Sequence, residues 1–219
     1  MKPVVVVSTP AYDGHVSIPY FAAIFNAYQH ADVRCNFRTG SLLTRSRNTL
    51  MVDALKQSPD YILLLDADVG LPQPDWLPKM IAKLEESKAD MLAGIVMLKG
   101  NKDQTNIAMG KEGFDALSLT LKEVEACSEV FPADLVGAGC ILIKPGDWLR
   151  NMQAPRFHIE DGGQGSEVRV FSEDWYFCRK AANMGAKIMV WKGLQTQHYG
   201  QQAWNFIPSE QNSKSQSDQ

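Results

Sequence analysis

The sequence predicts an α/β fold with a mostly parallel central sheet flanked by helices. Short nonpolar runs, such as residues 4–7 and 61–65, alternate with segments whose nonpolar residues recur at helical spacing. Strands that are nonpolar at every position are typical of a sheet buried on both faces. The 219 residues fit one large domain, and 45% of them are hydrophobic, which is enough for a sizeable core.

The first half of the chain alternates strands with helices. Its predicted strands lie at residues 4–7, 33–37, 61–65 and 90–98. The helix after the first strand carries nonpolar residues at helical spacing that we expect in the core, namely Tyr20, Phe21, Ile24, Phe25 and Tyr28. A second helix opens near Thr44, and a third follows Asp75, which is suited to an N-cap.

The second half is less regular. Residues 134–143 predict a strand interrupted by two glycines, which often mark the close approach of a ligand or another backbone. The glycine-rich segment 160–166 is expected to hold no regular structure, and a helix follows from Ser172. We divide the chain into a domain over residues 1–205 and a polar, disordered tail over 206–219.

Charge, cysteines and the first residues narrow the class of protein. The net charge is −3, which argues against general nucleic-acid binding through a basic face. The nonpolar run at residues 4–7 is too short for a signal peptide or a membrane span. The four cysteines lack paired metal-binding spacing, so we expect reduced thiols in a cytoplasmic protein.

Two aspartates follow the predicted strand at residues 61–65. Asp66 and Asp68 stand two residues apart, so in extended backbone they point to the same side. Their repulsion would be relieved by a hard divalent cation such as Mg²⁺ or Mn²⁺. Ligands of open α/β sheets bind beyond the carboxyl ends of strands, where this pair lies. The alternative is a solvated turn, which the same residue types also favour.

The second helix opens with two arginines. Arg45 and Arg47 stand where the helix dipole disfavours cations by roughly 0.3–1 kcal/mol each. A phosphate-bearing ligand would compensate, because the helix amides and the guanidinium groups would face the same anion. Surface arginines paired with nearby acids are the alternative.

Three further segments carry side chains suited to a site, and each also has a plain structural interpretation. Tyr12 follows the first strand, where it would stack on a nucleobase while Thr9 or Asp13 accepts hydrogen bonds, or where the segment is a simple loop. Glu173 and Asp174 occupy a first helical turn, which is also ordinary capping. His198 lies in a polar loop as an exposed side chain or as a third ligand, since imidazole suits Mn²⁺ better than Mg²⁺.

In their order along the chain these features resemble GT-A fold glycosyltransferases, with a pattern similar to family 2. The resemblance covers roughly residues 3–200 and rests on Thr9-Pro10-Ala11-Tyr12, Arg45-Ser46-Arg47-Asn48, Asp66-Ala67-Asp68, Val136-Gly137-Ala138-Gly139, Ser172-Glu173-Asp174-Trp175 and His198-Tyr199-Gly200. It implies a GT-A-type, Rossmann-like domain with a smaller acceptor-side subregion.

The resemblance also implies a role for each matching residue. The nucleotide pocket would be lined by Thr9, Pro10, Tyr12 and Asp13, and the nucleotide or donor sugar would face Arg45, Arg47, Asn48, Asp66 and Ala67. Asp68, with Asp66 and His198, would hold Mn²⁺ or Mg²⁺ at the donor diphosphate. Gly137 and Gly139 would line the cleft for donor sugar and acceptor. Asp174 would be the general base, and Glu173 would orient it or the acceptor.

The implied activity is metal-dependent transfer of a sugar from a nucleotide-diphosphate sugar to the hydroxyl of a glycan or another acceptor, with inversion. Polymer-elongating members of family 2 carry a Gln-x-x-Arg-Trp element and membrane helices. Gln201-Gln202-Ala203-Trp204 lacks that arginine, so we expect a non-processive enzyme.

Two alternatives stay open at the level of sequence. The aspartate pair also resembles the nucleophile motif of haloacid dehalogenase-type phosphatases, in which Asp66 would form an aspartyl-phosphate. That motif normally follows the first strand and has a threonine where Leu71 stands here. A non-catalytic nucleotide-sugar-binding protein would share the donor site and differ only in turnover.

Overall fold

The structure is a computed structural model that describes residues 1–100, 103–110, 116–162 and 169–200, together with the backbone of residues 204–206. Its helices are α1 (Ile18–Ala27), α2 (Leu43–Leu55), α3 (Trp76–Ser87), α4 (Leu121–Ala126), α5 (Asp147–Arg150) and α6 (Glu173–Asn183). Its strands are β1 (Val4–Pro10), β2 (Asp32–Arg38), β3 (Tyr61–Leu65), β4 (Val69–Gly70), β5 (Met91–Gly94), β6 (Gln104–Met109), β7 (Leu117–Thr120), β8 (Val130–Pro132), β9 (Leu135–Val136), β10 (Cys140–Ile143), β11 (Glu160–Gly162), β12 (Arg169–Phe171), β13 (Ile188–Trp191), β14 (Thr196–His198) and β15 (Trp204–Phe206).

A seven-stranded sheet in the order β2-β1-β3-β10-β5-β13-β8 forms the centre of the molecule. Strand β1 pairs in parallel with β2 and β3, and β5 pairs in parallel with β13. Strand β10 runs antiparallel to both of its neighbours, and β8 runs antiparallel to β13. Most strands therefore share one direction, and the predicted α/β class with a mostly parallel sheet and helices is confirmed.

Helices cover the sheet on both faces. Successive residues of the buried strands point to opposite sides, so each strand contributes to two cores. Val6 and Ile62 face the core that also contains residues of α2 and α6, such as Met51 and Phe177. Val5, Val7, Leu63 and Leu65 face the other core, which residues of α1 and α3, such as Tyr20, Ile24, Trp76 and Met80, complete. This three-layer arrangement accounts for strands that are nonpolar at every position.

The aromatic stripe of α1 is only partly in the core. Tyr20 and Ile24 are buried as expected, but Phe21 and Phe25 are each 63% exposed and Tyr28 is 50% exposed. Ala23 and Ala27 are the other buried residues of the helix. Because these small side chains face the sheet beside Tyr20 and Ile24, the helix is rotated so that both phenylalanines point outward.

Two predictions for the second half are corrected by pairing between distant segments. Residues 134–143 divide into β9, which pairs with β6 in a small sheet, and β10, which enters the central sheet. Residues 160–162, expected to be irregular, form β11 because they pair with β12. The rest of that glycine-rich segment, residues 163–166, lies outside the described residues.

Near the end of the described chain, β14 lies between β4 and β15 in a three-stranded sheet. Residues 207–219, which hold most of the predicted tail, lie outside the described residues. None of the helices that the structure describes is long and nonpolar enough to cross a membrane. All four cysteines are free thiols.

Candidate active site

The candidate site lies at the edge of the central sheet where β1 and β3 end. Asp66 directly follows β3, and its backbone N–H donates to the carbonyl oxygen of Gly139 at 3.1 Å, just before β10 begins. A cleft of about 460 Å³ opens there, and its lining residues include Pro10, Tyr12, Asp13, Arg47, Asp66, Ala67 and Asp68. Such an edge is where open α/β sheets bind ligands.

Arg47 links three acidic side chains at the inner end of this cleft. Its side chain is only 5% exposed. One terminal nitrogen donates to Asp66 Oδ1 at 2.9 Å. The other donates to Glu173 Oε1 at 2.9 Å and lies 3.8 Å from Asp174 Oδ2. Helices α2 and α6 and strand β3 are therefore joined through one guanidinium group.

The cluster contains three carboxyl groups and one guanidinium group, so its acids outnumber its cation. Burial disfavours the charge of Arg47, but Asp66, Asp174 and Glu173 together raise its pKa above the usual value. Burial also raises the pKa of Asp66 and of Glu173, and the attraction of Arg47 offsets this only in part. Three carboxylates beside one guanidinium suit a site that receives a further cation.

The two adjacent acids at the start of α6 point in different directions, as neighbouring helical residues do. The Glu173 side chain is 9% exposed and is held by Arg47. The Asp174 side chain is 18% exposed. Its Oδ2 accepts from the N–H of Ala138 at 3.2 Å, and its Oδ1 accepts from the N–H of Trp175 at 2.8 Å and from the Ser172 hydroxyl. Asp174 is thereby fixed against the glycine segment between β9 and β10.

Asp68 and His198 meet because β14 pairs with β4, which sets His198 opposite Val69. His198 Nε2 lies 3.5 Å from Asp68 Oδ1, and Lys99 Nζ donates to Asp68 Oδ2. Burial opposes ionisation of Asp68, yet the hydrogen bonds and charges of His198 and Lys99 lower its pKa to about 2. Asp68 is therefore an anion that already attracts cations.

These residues fit a divalent cation with incomplete protein ligation. His198 Nδ1 donates to the carbonyl oxygen of Met97 at 2.8 Å, which leaves Nε2 directed at Asp68 and suited to a metal. No group of three or more histidine, cysteine or acidic side chains within the described residues is arranged to hold a metal. Mg²⁺ commonly combines one or two carboxylates with substrate phosphates and water, so a partial set of protein ligands is compatible with such a cation.

Three of the residues predicted to contact the donor have their side chains directed elsewhere. Thr9 is fully buried, and its hydroxyl is 2.6 Å from the Tyr20 hydroxyl. Arg45 is exposed and lines clefts on the other side of α2. The Asn48 amide donates to the carbonyl of Phe157 at 2.7 Å and accepts from the N–H of Arg156 at 2.8 Å. Its side chain is thus occupied by a neighbouring backbone segment.

Two residues of the site carry no distinguishing signal in the sequence. Lys99, which donates to Asp68, lies in a turn, and its neighbours in the sequence do not mark it as a site residue. Asn106 is 7% exposed, accepts from the Val96 N–H at 2.8 Å and donates to the Gly137 carbonyl at 3.2 Å. Strand β6 begins Gln104-Thr105-Asn106, so nothing in the neighbouring sequence distinguishes Asn106 from the polar residues before it.

The two glycines of the predicted cleft differ in how closely they are approached. A Cβ on Gly137 would lie 2.9 Å from Asn106 Cβ and 3.4 Å from Asp174 Oδ2. A Cβ on Gly139 would meet Val96 at 3.4 Å and Asp66 Oδ2 at 3.6 Å, which is ordinary contact. Gly137 therefore lets the segment pack against both Asn106 and Asp174.

No protein-family model and no curated protein matches the sequence. Among solved structures, the chain is similar in fold to A197 from STIV, with a TM-score of 0.63 and 18% identity over 91% of this chain and 86% of that chain. It also aligns with the mannosyltransferase PcManGT from Pyrobaculum calidifontis, solved with GDP-Man and Mn²⁺, with a TM-score of 0.46 and 15% identity over 87% of this chain and 57% of that chain. The likeness to A197 shows a shared fold and does not show an activity.

Proposed function

We propose that this protein is a metal-dependent, inverting and non-processive glycosyltransferase that moves a sugar from a nucleotide-diphosphate sugar to an acceptor hydroxyl. One observation carries the proposal. Residues from β3, α2, α6 and β14 meet at one sheet edge, where Arg47 contacts Asp66, Glu173 and Asp174 and where His198 faces Asp68. Such a gathering of acids from distant segments beside an open cleft suits a diphosphate donor with its cation.

The cleft supports binding of the donor. Its volume of about 460 Å³ lies in the range of small-molecule sites. Tyr12, which is 73% exposed, offers a ring face for a nucleobase, and Asp13 offers hydrogen-bond acceptors. Pro10 and Ala67 form nonpolar parts of the lining. The donor sugar would then extend toward Asp66 and the glycine segment.

Asp68 and His198, together with Asp66, would hold Mn²⁺ or Mg²⁺. When bound, such a cation supplies positive charge that stabilises a leaving diphosphate. His198 is oriented for this role by Met97, and Asp68 is kept ionised by its neighbours. Lys99, which donates to Asp68 Oδ2, would compete with such a cation for the Asp68 carboxylate.

Asp174 would act as general base. It accepts the proton of the acceptor hydroxyl while that oxygen attacks C1 from the face opposite the diphosphate, as in inverting glycoside chemistry. Glu173 would act as a positioning residue, because its carboxylate holds Arg47 and Arg47 lies beside Asp174. The small sheet of β6, β7 and β9 and the antiparallel pair β11 and β12 would form the acceptor side. The free thiols support a cytoplasmic location.

The test is turnover with a panel of nucleotide-diphosphate sugars and candidate hydroxyl acceptors in the presence of Mn²⁺. We expect release of nucleoside diphosphate and an inverted glycoside from at least one donor. Binding without release would identify the non-catalytic alternative. Release of inorganic phosphate from phosphate esters, lost in Asp66→Asn, would favour the phosphatase.

A further inference from the structure

A second cleft lies between α2 and residues 154–156. It has a volume of about 490 Å³, with Arg45 on one side, Arg156 on the other and a nonpolar wall of Val52, Ala154 and Pro155. Arg45 and Arg47 are two residues apart on a helix and so point about 200° apart. This groove is therefore distinct from the cleft that contains Arg47, and its chemistry does not depend on whether that cleft binds a nucleotide sugar.

The two arginines of this groove have no carboxylate partners within the described residues. By contrast, Arg34, Arg38 and Arg179 are paired with Asp32, Asp53 and Glu160, respectively. Among the residues that the structure describes, the buried Arg156 Nε has no hydrogen-bond partner, and burial lowers the pKa of this guanidinium group. A partly desolvated cation without a counter-charge is costly, and a bound anion would offset that cost.

Side-chain contacts hold the groove in shape. Asn48 Oδ1 accepts from the N–H of Arg156 at 2.8 Å. Lys180 Nζ donates to the carbonyl oxygens of Gln153 at 2.7 Å and Pro155 at 2.8 Å. The pKa of Lys180 is lowered by its burial and by the charge of Arg156, so a third cation adds to the positive potential here.

We propose that this groove binds an oxyanion, phosphate or carboxylate, that is attached to a nonpolar group. The planar guanidinium groups of Arg45 and Arg156 match the oxygens of such an anion. The nonpolar part of the ligand packs against Val52, Ala154 and Pro155. A bare inorganic anion would use only the arginines and bind more weakly.

The test is calorimetric titration of the full chain with phenyl phosphate, benzoate and uncharged phenol. We expect phenyl phosphate or benzoate to bind and phenol to bind at least tenfold more weakly. The tighter of the two anions identifies the preferred oxyanion. Arg45→Gln and Arg156→Gln should each weaken that anion by roughly tenfold, since each removes a charged hydrogen bond. Arg34→Gln, an equal change of charge on an exposed arginine, should leave its affinity unchanged.

Three results would overturn the proposal. The first is that neither anion binds, and the second is that Arg45→Gln, an exposed substitution that spares the fold, leaves the affinity unchanged. The third is a roughly tenfold loss of affinity for the anion in Tyr12→Ala, an exposed substitution in the other cleft, which would assign the anion to the cleft at Arg47. Failure of the glycosyltransferase proposal alters none of these outcomes.

Discussion

Arg47 is the residue whose loss should disturb the site most. Its buried guanidinium group contacts three carboxylates, so Arg47→Met would leave Asp66 and Glu173 buried without their counter-charge. We expect the free energy of unfolding to fall by about 3–5 kcal/mol, as when one partner of a buried ion pair is removed. Urea denaturation measures the change. Arg34→Met, which breaks an exposed pair with Asp32, is the control and should cost at most about 1 kcal/mol.

The unfolding free energy that Arg47→Met loses should be greater at high pH than at low pH. Burial already raises the folded-state pKa of Asp66 and Glu173, and removing Arg47 raises both further. Above the ordinary carboxyl pKa the folded state then holds more protons than the unfolded state, so stability falls as pH rises through the raised values. The variant should be less destabilised at pH 5 than at pH 7.5. An equal loss at both pH values would mean that these carboxylates are not charged in the fold.

Substitutions of Asp174 and of Glu173 should have different effects on the rate of sugar transfer. Asp174→Asn should retain affinity for donor and metal but lose roughly 10²-fold or more in transfer rate, as removal of a positioned base does. Glu173→Gln alters a contact of Arg47 and leaves the base in place, so it should keep more transfer activity than Asp174→Asn. Single-turnover transfer and donor calorimetry test both variants. An inactive Glu173→Gln beside an active Asp174→Asn would exchange the two roles, and normal transfer by both would refute the mechanism.

Lys99 should compete with a cation for Asp68. Its ammonium group already offsets the charge of the Asp68 carboxylate through Oδ2, which weakens the attraction of that carboxylate for Mn²⁺. Lys99→Met should raise the affinity for Mn²⁺ by about two- to fivefold, the value of a partly exposed ion pair. Calorimetry with Mn²⁺ and a nucleoside diphosphate measures this, and Lys79→Met, which removes an exposed lysine paired with Asp75, is the control. Weaker binding in Lys99→Met would instead give Lys99 a direct contact with the diphosphate.

At the scale of elements, the segment between β9 and β10 should tolerate a methyl group at one glycine and not at the other. Gly137→Ala forces contact with Asn106, whose hydrogen bonds to Val96 and Gly137 fix its position. We expect a loss of about 1–3 kcal/mol in unfolding free energy, typical of overpacking, and a shift of Asp174 that slows transfer. Gly139→Ala meets only ordinary contacts and is the matched control. Equal stability of the two variants in urea would contradict this account of the segment.

Helices and strands could be predicted from the sequence where residues within the same segment specify them. Nonpolar strands and the Ser172 start of α6 can be identified from neighbouring residues alone. The division of residues 134–143 and the pairing of β11 with β12 depend on partners outside the segment, which a single strand does not specify. The rotation of α1 depends on how closely Ala23 and Ala27 let it approach the sheet.

At the scale of the whole molecule, the topology accounts for how much of the site the sequence revealed. The proximity of Asp66, Asp68 and Asp174 was predictable because strand ends and helix starts meet at one edge of an α/β sheet. The opposite directions of Arg45 and Arg47 follow from helical spacing, but which of them faces inward depends on Glu173, more than a hundred residues away. The contacts of Asn48 were not predictable because its partners, Arg156 and Phe157, are equally distant in sequence.

The most direct test of the central claim is calorimetry of nucleotide-diphosphate sugars with and without Mn²⁺, for the wild-type chain and for Asp68→Ala. We expect at least one donor to bind the wild-type chain with an affinity that rises when Mn²⁺ is present. Asp68→Ala should fold with unchanged circular dichroism and lose that Mn²⁺-dependent gain, because it removes the anionic ligand opposite His198. The same Mn²⁺-dependent affinity in Asp68→Ala, or no donor bound by the wild-type chain, would contradict the account.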